Sequence, residues 1–167
     1  MPIAAAAVKE LRELTGAGML DCKTALEQAN GDLEKAKDIL RQKGHAAAAK
    51  RAERATAQGL VHAYLHHDGR LGAIVEVNCE SDFVARTDDF RQLVQDIALQ
   101  VAATNPYYLT PEEIPDGTEG DPKELCLLLQ PFVRDESVAI QDMITEAISK
   151  TGENIRVRRF ARFELGR

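Results

Sequence analysis

The feature that most limits the fold of this chain is a change in the spacing of its apolar residues near Gly59. Before that point apolar residues recur every three or four positions, as on one face of an α-helix. After it they alternate with polar residues, as on a β-strand. A chain of 167 residues can form one ordinary domain, or a small module joined to a larger one. The change of period therefore predicts a helical module followed by a separate α+β domain.

The first 44 residues predict three short helices separated by glycine. The first helix is expected to end at Gly16, and the third to begin after the N-cap Asp32 and to end at Gly44. On the second helix, Leu20 falls almost opposite the apolar face, so it is expected to be exposed. Leu20 is then either a solitary surface leucine or part of a binding surface. The inward positions predicted for the three helices are Ala4, Ala7, Val8, Leu11, Leu14, Cys22, Ala25, Leu26, Ala29, Leu33, Ala36, Ile39 and Leu40.

Residues 45–58 are rich in alanine and basic residues and contain no large apolar side chain, which predicts an exposed helical connector. The expected organisation is a module at 1–44, this connector at 45–58 and a core domain at 59–167. Residues 41–54 contain five basic residues and one acidic residue, Glu53, which gives a local charge of +4. Since the net charge of the chain is −6, the remaining residues carry a charge of −10. This acidic balance argues against a general nucleic-acid or membrane binder. A ribosome- or RNA-associated adaptor that uses the basic helix remains the alternative function.

The segment after Gly59 predicts a hairpin followed by a long helix. Two strand-like stretches, LVHAYLHH and RLGAIVEVN, flank Asp68-Gly69, a pair that favours a two-residue loop. On the second strand, alternate residues share one apolar face. They are Leu71, Ala73, Val75, Val77 and Cys79. Thr87 is expected to cap a long helix that ends at Asn105-Pro106.

The last third of the chain predicts shorter elements. Residues 105–121 are rich in proline and acid and are expected to form a surface loop, after which Asp121 caps a short helix through Leu129. Ser137 is expected to cap a further helix that ends at Gly152. The chain closes with the strand NIRVRRFARFEL, whose alternation breaks near Arg159-Phe160, as at a β-bulge. The predicted fold class is α+β, with a small antiparallel sheet of about three strands covered by helices.

Metal and thiol chemistry are both disfavoured by spacing. On a strand, residues four apart such as His62 and His66 are about 13 Å apart, too far to share one ion, and His67 follows at the turn. Cys22, Cys79 and Cys126 lack any paired metal spacing and indicate a reducing compartment. No phosphate loop or nucleophile elbow is present, so neither an enzyme nor a cofactor is expected. No apolar run approaches the roughly 20 residues of a membrane span, and we expect a cytoplasmic protein.

The stretch EVNCESDFVAR, residues 76–86, places a large aromatic directly behind an acid at the end of a buried strand. One interpretation puts Phe83 in the core beneath the next helix, with Asp82 capping a turn. The other makes residues 81–84 an exposed tip, because an unpaired Asp82 cannot lie in a dry core and the next helix begins only near Thr87. On the second interpretation Phe83 is available to a partner.

Three stretches carry a resemblance to a known family. LRELTGAGMLDCKTALEQANGD at 11–32 and EVNCESDFVAR at 76–86 resemble the two signatures of bacterial elongation factor Ts. GENIRVRRFARFE at 152–164 is similar to the family's closing segment of the core. The resemblance extends through nearly the whole chain. It implies a guanine-nucleotide exchange factor for elongation factor Tu, with a UBA-like three-helix module at the N-terminus.

The resemblance also implies two partner-binding surfaces. Arg12, Met19, Leu20 and Lys23 match the family's surface that docks on the nucleotide-binding domain of Tu, with Lys50 and Arg51 as further contacts. Ser81, Asp82, Phe83 and Val84 match the tip that enters Tu near its magnesium site and dislodges magnesium and GDP. Ser81 stands where the family usually has threonine, which keeps the hydroxyl and loses a methyl. With a single copy of the core half, the chain resembles the short form of the family, which implies a homodimer.

Overall fold

A computed structural model describes residues 3–167 of the chain. Its helices are α1 (Ala5–Thr15), α2 (Met19–Gln28), α3 (Leu33–Arg51), α4 (Asp82–Ala85), α5 (Asp88–Thr104), α6 (Pro122–Leu125) and α7 (Ile140–Thr151). Its strands are β1 (Gln58–Leu65), β2 (Leu71–Cys79), β3 (Pro131–Phe132), β4 (Asp135–Ala139) and β5 (Arg156–Glu164). Two compact units are formed, one by the described residues up to Arg54 with 145–154 and the other by residues 55–144 with 155–167. The predicted α+β class is confirmed, and the boundaries predicted at residues 44 and 58 stay predictions.

The first unit contains the three predicted N-terminal helices around a small core. Gly16 ends α1 with a left-handed φ of 65°, and Asp32 caps α3 by accepting a hydrogen bond from the backbone N–H of Lys35. Most of the predicted inward positions are buried or packed against that core. Its fully or nearly buried members are Val8, Leu11, Cys22, Ala25, Leu26, Ala29 and Ala36.

Three expectations for these helices are wrong. Ala4, predicted to point inward, is the N-cap of α1 and is exposed. Leu14 is 57% exposed, because steps of three residues from Val8 through Leu11 turn position 14 progressively away from the buried face. Helix α3 does not end at Gly44 but continues to Arg51. Gly44 is buried, and a Cβ atom there would lie 3.2 Å from Ser149 Oγ and 3.3 Å from Thr145 Cγ2. This glycine permits close packing against α7 rather than ending a helix.

The second unit is built on an antiparallel three-stranded sheet in the order β1-β2-β5. Helix α5 packs against these strands. Thr87 caps it by accepting from the N–H of Phe90, and Asn105 ends it with a φ of 50°, both as predicted. The predicted inward row of β2 is confirmed for Ala73, Val75, Val77 and Cys79, which are at most 2% exposed, whereas Leu71 at its start is half-buried. Helix α5 covers the sheet with its own buried residues, Phe90, Leu93, Val94, Ile97, Ala98, Gln100, Val101 and Ala102.

The hairpin loop is longer than the two residues predicted. Leu65 pairs with Gly72, and the N–H of His66 donates to the carbonyl of Leu71 at 2.8 Å. Inside this closed loop the N–H of Gly69 donates to the carbonyl of His66, and Gly69 has a φ of 69°. The loop therefore turns over residues 66–69 and needs glycine at the last of them.

Three further expectations in the last third need correction. Ser137 does not cap a helix but lies in β4, where its hydroxyl donates to Asp135 Oδ1 at 2.6 Å. Helix α6 ends at Leu125, and a separate 3-10 turn covers Leu127–Leu129. The bulge of β5 lies at Arg158 rather than at Arg159-Phe160, because Glu76 pairs with Arg159 while Val77 pairs with Val157. Arg158 and Arg159 thus both lie opposite the Glu76–Val77 step of β2.

Candidate partner-binding surfaces

Residues 81–84, which we call the tip turn, connect the central strand of the sheet to helix α5. Strand β2 ends at Cys79, and Ser81 keeps an extended conformation with φ −123° and ψ 157°. The Ser81 hydroxyl accepts the N–H of Val84 at 3.4 Å, and its carbonyl accepts the N–H of Ala85 at 3.3 Å. A serine in this position is a favourable N-cap, so the chain forms the single turn α4 directly after the strand.

The tip turn exposes its aromatic residue. Phe83 is 81% exposed, although Ala85 two positions later is buried. Asp82 and Val84 on either side are half-buried. The predicted exposure is therefore confirmed for Phe83, and the core interpretation of Phe83 is wrong, whereas Ser81, Asp82 and Val84 are half-buried rather than exposed. A phenylalanine this exposed gains almost nothing from burial within its own chain.

Asp82 has a charged neighbour that was not predicted from the sequence. Arg86 Nη2 lies 3.0 Å from Asp82 Oδ2, four residues further along the chain. The side chain of Arg86 is 76% exposed and that of half-buried Asp82 is 48% exposed, so water screens the pair and it adds little to stability. Its effect is to orient the carboxylate beside Phe83. The helical spacing of four residues is the signal in the sequence from which the pair could have been found.

In the first unit, the start of α2 presents two exposed apolar side chains. Met19 is 56% exposed and Leu20 is 76% exposed, so the predicted exposure of Leu20 is confirmed. The reason is local, because Cys22, Ala25 and Leu26 take the inward face of the same helix at 0% exposure. Lys23 is exposed one turn further along, where its Nζ lies 3.9 Å from Glu27 Oε1. Arg12, in the last turn of α1, is exposed as well.

The two basic residues at the end of α3 differ from each other. Lys50 is exposed. Arg51 is half-buried, and its Nη1 donates to the carbonyl of Ala47 at 3.0 Å. Lys50 is therefore the freer of the two cations for an external contact.

The sheet has a second apolar face, opposite the one that α5 covers. We call this the outer face, and it consists of Val61, Ala63, Leu65, Gly72, Ile74, Ala161 and Phe163. Val61, Leu65 and Phe163 are each 68–69% exposed, and Ile74 is 45% exposed. A pocket of about 450 Å³ on this face is lined by residues that include Leu65, Ile74 and Phe163. The residues of this face were not identified from the sequence.

At the other end of the outer face the residues are charged. Arg159 Nε donates to Glu76 Oε2 at 2.7 Å, and Arg158 Nε lies 3.6 Å from Glu76 Oε1. The hydrogen bond from Arg159 is the main reason that the pKa of Glu76 lies below its ordinary value. The bulge at Arg158 allows both guanidinium groups to approach one carboxylate.

Groups suited to holding a metal ion are not assembled in the part of the chain that the structure describes. Residues 3–167 contain no group of three or more His, Cys, Asp or Glu side chains that could hold a metal ion. Cys22, Cys79 and Cys126 are all buried, and none of the three is in a disulfide. Burial raises the pKa of the Cys126 thiol, which makes it a poorer nucleophile at neutral pH. Over the same residues, no helix is both long enough and apolar enough to cross a membrane.

Comparison with known proteins gives a consistent result. The family model described as elongation factor TS matches residues 19–121. The chain is 51% identical to an elongation factor Ts from Heliobacterium modesticaldum, over 98% of this chain and 90% of the relative. It is 50% identical to those of Carboxydothermus hydrogenoformans, over 95% and 87%, and Caldanaerobacter subterraneus, over 98% and 97%.

These relatives are somewhat longer than this chain. The alignment with the Heliobacterium protein has 194 positions, against 167 residues here, so that relative contains residues that this chain lacks. The match nevertheless covers almost the full length of both proteins. Because the identity extends over this length and the family model matches as well, the chain belongs to the elongation factor Ts family of translation elongation factors.

Proposed function

We propose that this protein is a guanine-nucleotide exchange factor for elongation factor Tu. It binds Tu with GDP, weakens the hold of Tu on magnesium and GDP, and stays on nucleotide-free Tu until GTP displaces it. The observation that carries this proposal is Phe83, which is 81% exposed beside Asp82 on a turn capped at its start by Ser81. Family membership supports the same function.

In this proposal the tip turn is the part that dislodges magnesium and GDP. Phe83 fills an apolar pocket of Tu, because exposed aromatic side chains that become buried are strong anchors of interfaces. Asp82 accepts hydrogen bonds from Tu in place of, or together with, those of Arg86. Ser81 and Val84 hold the two ends of the turn and border the contact.

The first unit supplies a separate docking surface for the nucleotide-binding domain of Tu. Its apolar centre is Met19 and Leu20, and its charged border is Arg12 and Lys23. Exposed apolar side chains at the start of α2 gain free energy when a partner covers them. Lys50, which is exposed at the end of α3, is a further contact, with a smaller part for half-buried Arg51.

Exchange of this kind needs no covalent step by this chain, so we propose that it is not an enzyme. Linkage requires that the factor by which this protein lowers the affinity of Tu for GDP is also the factor by which GDP lowers the affinity of Tu for this protein. GTP, bound by the freed site, then completes the cycle. Because Tu acts in translation, we also infer a cytoplasmic location.

We propose that the outer face joins two copies of this chain in a homodimer. A face with Val61, Leu65 and Phe163 each 68–69% exposed gains stability when it is covered. The charges at its other end favour a second copy, since the group of Glu76, Arg158 and Arg159 is self-complementary across a two-fold axis.

Sedimentation of the wild-type chain and of Phe163→Asp tests the dimer. We expect a dimer mass for the wild type and a monomer mass for the variant, because a buried unpaired carboxylate is costly. Leu20→Asp, an equally drastic change in the first unit, is the control and should leave the dimer intact. A monomer mass for the wild type that does not change with concentration contradicts the dimer.

The experiment that tests the exchange function is release of labelled GDP from Tu with and without this protein. We expect release to accelerate with protein concentration and to reach a maximum. The salt dependence distinguishes the alternative adaptor function, because binding through several phosphate contacts weakens steeply with salt whereas an apolar contact does not. Unchanged GDP release, or binding only to RNA with a steep salt dependence, contradicts the proposal.

A further inference from the structure

The tip turn is too short to hold its own shape. Helix α4 has four residues, and a helix of this length is far from stable by itself in water. Phe83 cannot stabilise the turn by packing, because 81% of its surface is exposed. The conformation that presents Phe83 and Asp82 must therefore come from the residues on either side.

At the first end of the turn, one stabilising contact comes from Cys79. Its thiol is fully buried and donates to the carbonyl of Ser81 at 3.1 Å. The same carbonyl accepts the N–H of Ala85, the bond that closes the turn. Cys79 is the last residue of β2, the central strand of the sheet, and it pairs with Gln58 of β1. The thiol thus connects the tip turn to the most constrained strand.

At the other end, the hydroxyl of Thr87 makes two hydrogen bonds, one as an acceptor towards α5 and one as a donor towards the tip turn. Its hydroxyl accepts the N–H of Phe90 at 3.2 Å, as expected of the N-cap of α5. The hydroxyl also donates to the carbonyl of Val84 at 2.8 Å, and the N–H of Thr87 reaches that carbonyl at 3.1 Å. A residue that served only as the N-cap of α5 would need its hydroxyl oxygen only as a hydrogen-bond acceptor. The donated bond ties the tip turn to a helix of 17 residues.

We propose that Cys79 and Thr87 are positioning residues, whose side chains hold the tip turn in the shape in which Phe83 and Asp82 act on the partner. This inference rests on the exchange function proposed above. Neither residue itself touches the partner. Each fixes one end of the turn, so loss of either bond widens the range of orientations of Phe83 without changing its chemistry.

The test separates the donated bonds from general effects on folding. Cys79→Ala removes the thiol donor, and Cys79→Ser restores a donor of similar size. Thr87→Asp keeps an acceptor that caps α5 but has no hydroxyl to donate to Val84, and Thr87→Ser keeps both functions. Val77→Ala is the matched control, because Val77 is equally buried two positions earlier in the same row of β2.

The first measurement uses this protein without any partner. Amide hydrogen exchange at Val84 and Ala85 reports whether the turn opens, since their N–H groups donate to the two oxygens of Ser81. We expect Cys79→Ala and Thr87→Asp to speed exchange at these amides about three- to tenfold, the usual effect of losing one hydrogen bond. The serine variants and Val77→Ala should leave it near the wild-type rate. Equal rates in all variants overturn the proposal.

The second measurement is GDP release from Tu at saturating and at limiting concentrations of each variant, with the folded fraction checked by thermal unfolding. We expect the maximal rate to fall about three- to tenfold for Cys79→Ala and Thr87→Asp, with a nearly unchanged half-saturating concentration and with rescue by serine. Wild-type rates for both variants, or serine variants as slow as these, overturn the proposal. If the wild-type protein itself fails to accelerate GDP release, the exchange function is wrong, and the amide measurement alone decides whether the two residues hold the turn.

Discussion

Phe83 and Phe90 lie close together in the chain and at the start of successive helices, yet their environments are opposite. Each comes after a hydroxyl residue that caps its helix, Ser81 for α4 and Thr87 for α5. Phe90 is 2% exposed, whereas Phe83 is 81% exposed. The local signal, a cap and then an aromatic residue, is nearly the same in both places.

The difference arises from the length of the helix to which each phenylalanine belongs. Helix α5 continues for 17 residues, with a continuous apolar face that packs on the sheet, and Phe90 is the first member of that face. Helix α4 ends after four residues and buries only Ala85. A long helix can place its aromatic residue in a core, but a single turn between a strand and a helix cannot. Phe83 therefore has no structural reason to be aromatic, and an intermolecular role is the better explanation.

The largest effect that tests this comparison is expected from Phe90→Ala. Removing a nearly fully buried aromatic side chain should lower the free energy of unfolding by about 3–5 kcal/mol. Chemical denaturation of the full-length chain measures this directly. A loss below about 1 kcal/mol, within the range of ordinary surface substitutions, would remove the contrast between the two phenylalanines.

A smaller effect is expected from Leu20→Ala, the counterpart of Phe83 in the first unit. Since Leu20 is 76% exposed, its truncation should leave the melting temperature almost unchanged. We expect affinity for Tu to fall about five- to thirtyfold, the range of a moderate interface anchor, with little change in the maximal exchange rate. Titration of GDP release against protein concentration separates the two quantities.

The control for Leu20 is Tyr107→Ala, which removes another well-exposed side chain, 67% exposed, outside both docking surfaces. This variant should bind Tu as the wild type does. Equal losses of affinity in both variants would mean that Leu20 has no special part in docking.

The smallest effect is expected from a change of pH, which acts on the charged residue Glu76 and not on the apolar surroundings of Phe90. The pKa of Glu76 lies below the ordinary glutamate value of 4.5, chiefly because Arg159 donates a hydrogen bond to it. A lowered pKa in the folded state means that the stabilisation is complete above pH 4.5 and is lost as the pH falls through the folded value. Melting curves of wild type and Glu76→Gln should therefore differ slightly at neutral pH and converge in acid. A difference that grows in acid contradicts this sign.

The sequence was sufficient to predict burial and exposure where these follow from the periodic spacing of apolar residues. The inward row of β2, the cap at Thr87 and the exposure of Leu20 can all be inferred from alternation or helical spacing, and the structure confirms them. The exposure of Phe83 was inferred on different grounds, namely that the adjacent Asp82 could not be buried without a partner. These predictions depend on neighbours in the chain and need no knowledge of distant contacts.

The failures arise where distant contacts decide the structure. Gly44 resembles a helix end but is a point of close approach to residues about 100 positions later, Thr145 and Ser149. Ser137 resembles a helix cap, but its hydroxyl donates to Asp135 and the residue lies in strand β4. The second bond of Thr87 was missed for a related reason, because spacing identifies a cap but not which carbonyl its hydroxyl reaches.

The most direct test of the central claim measures thermal unfolding and GDP release on the same Phe83→Ala protein. We predict a melting temperature close to that of the wild type, because the side chain is 81% exposed. We also predict a loss of exchange of about 30- to 1000-fold, which corresponds to about 2–4 kcal/mol of lost binding to Tu, typical of a central interface anchor. A collapsed melting temperature, or exchange at the wild-type rate, would contradict the claim that Phe83 acts on a partner rather than on its own fold.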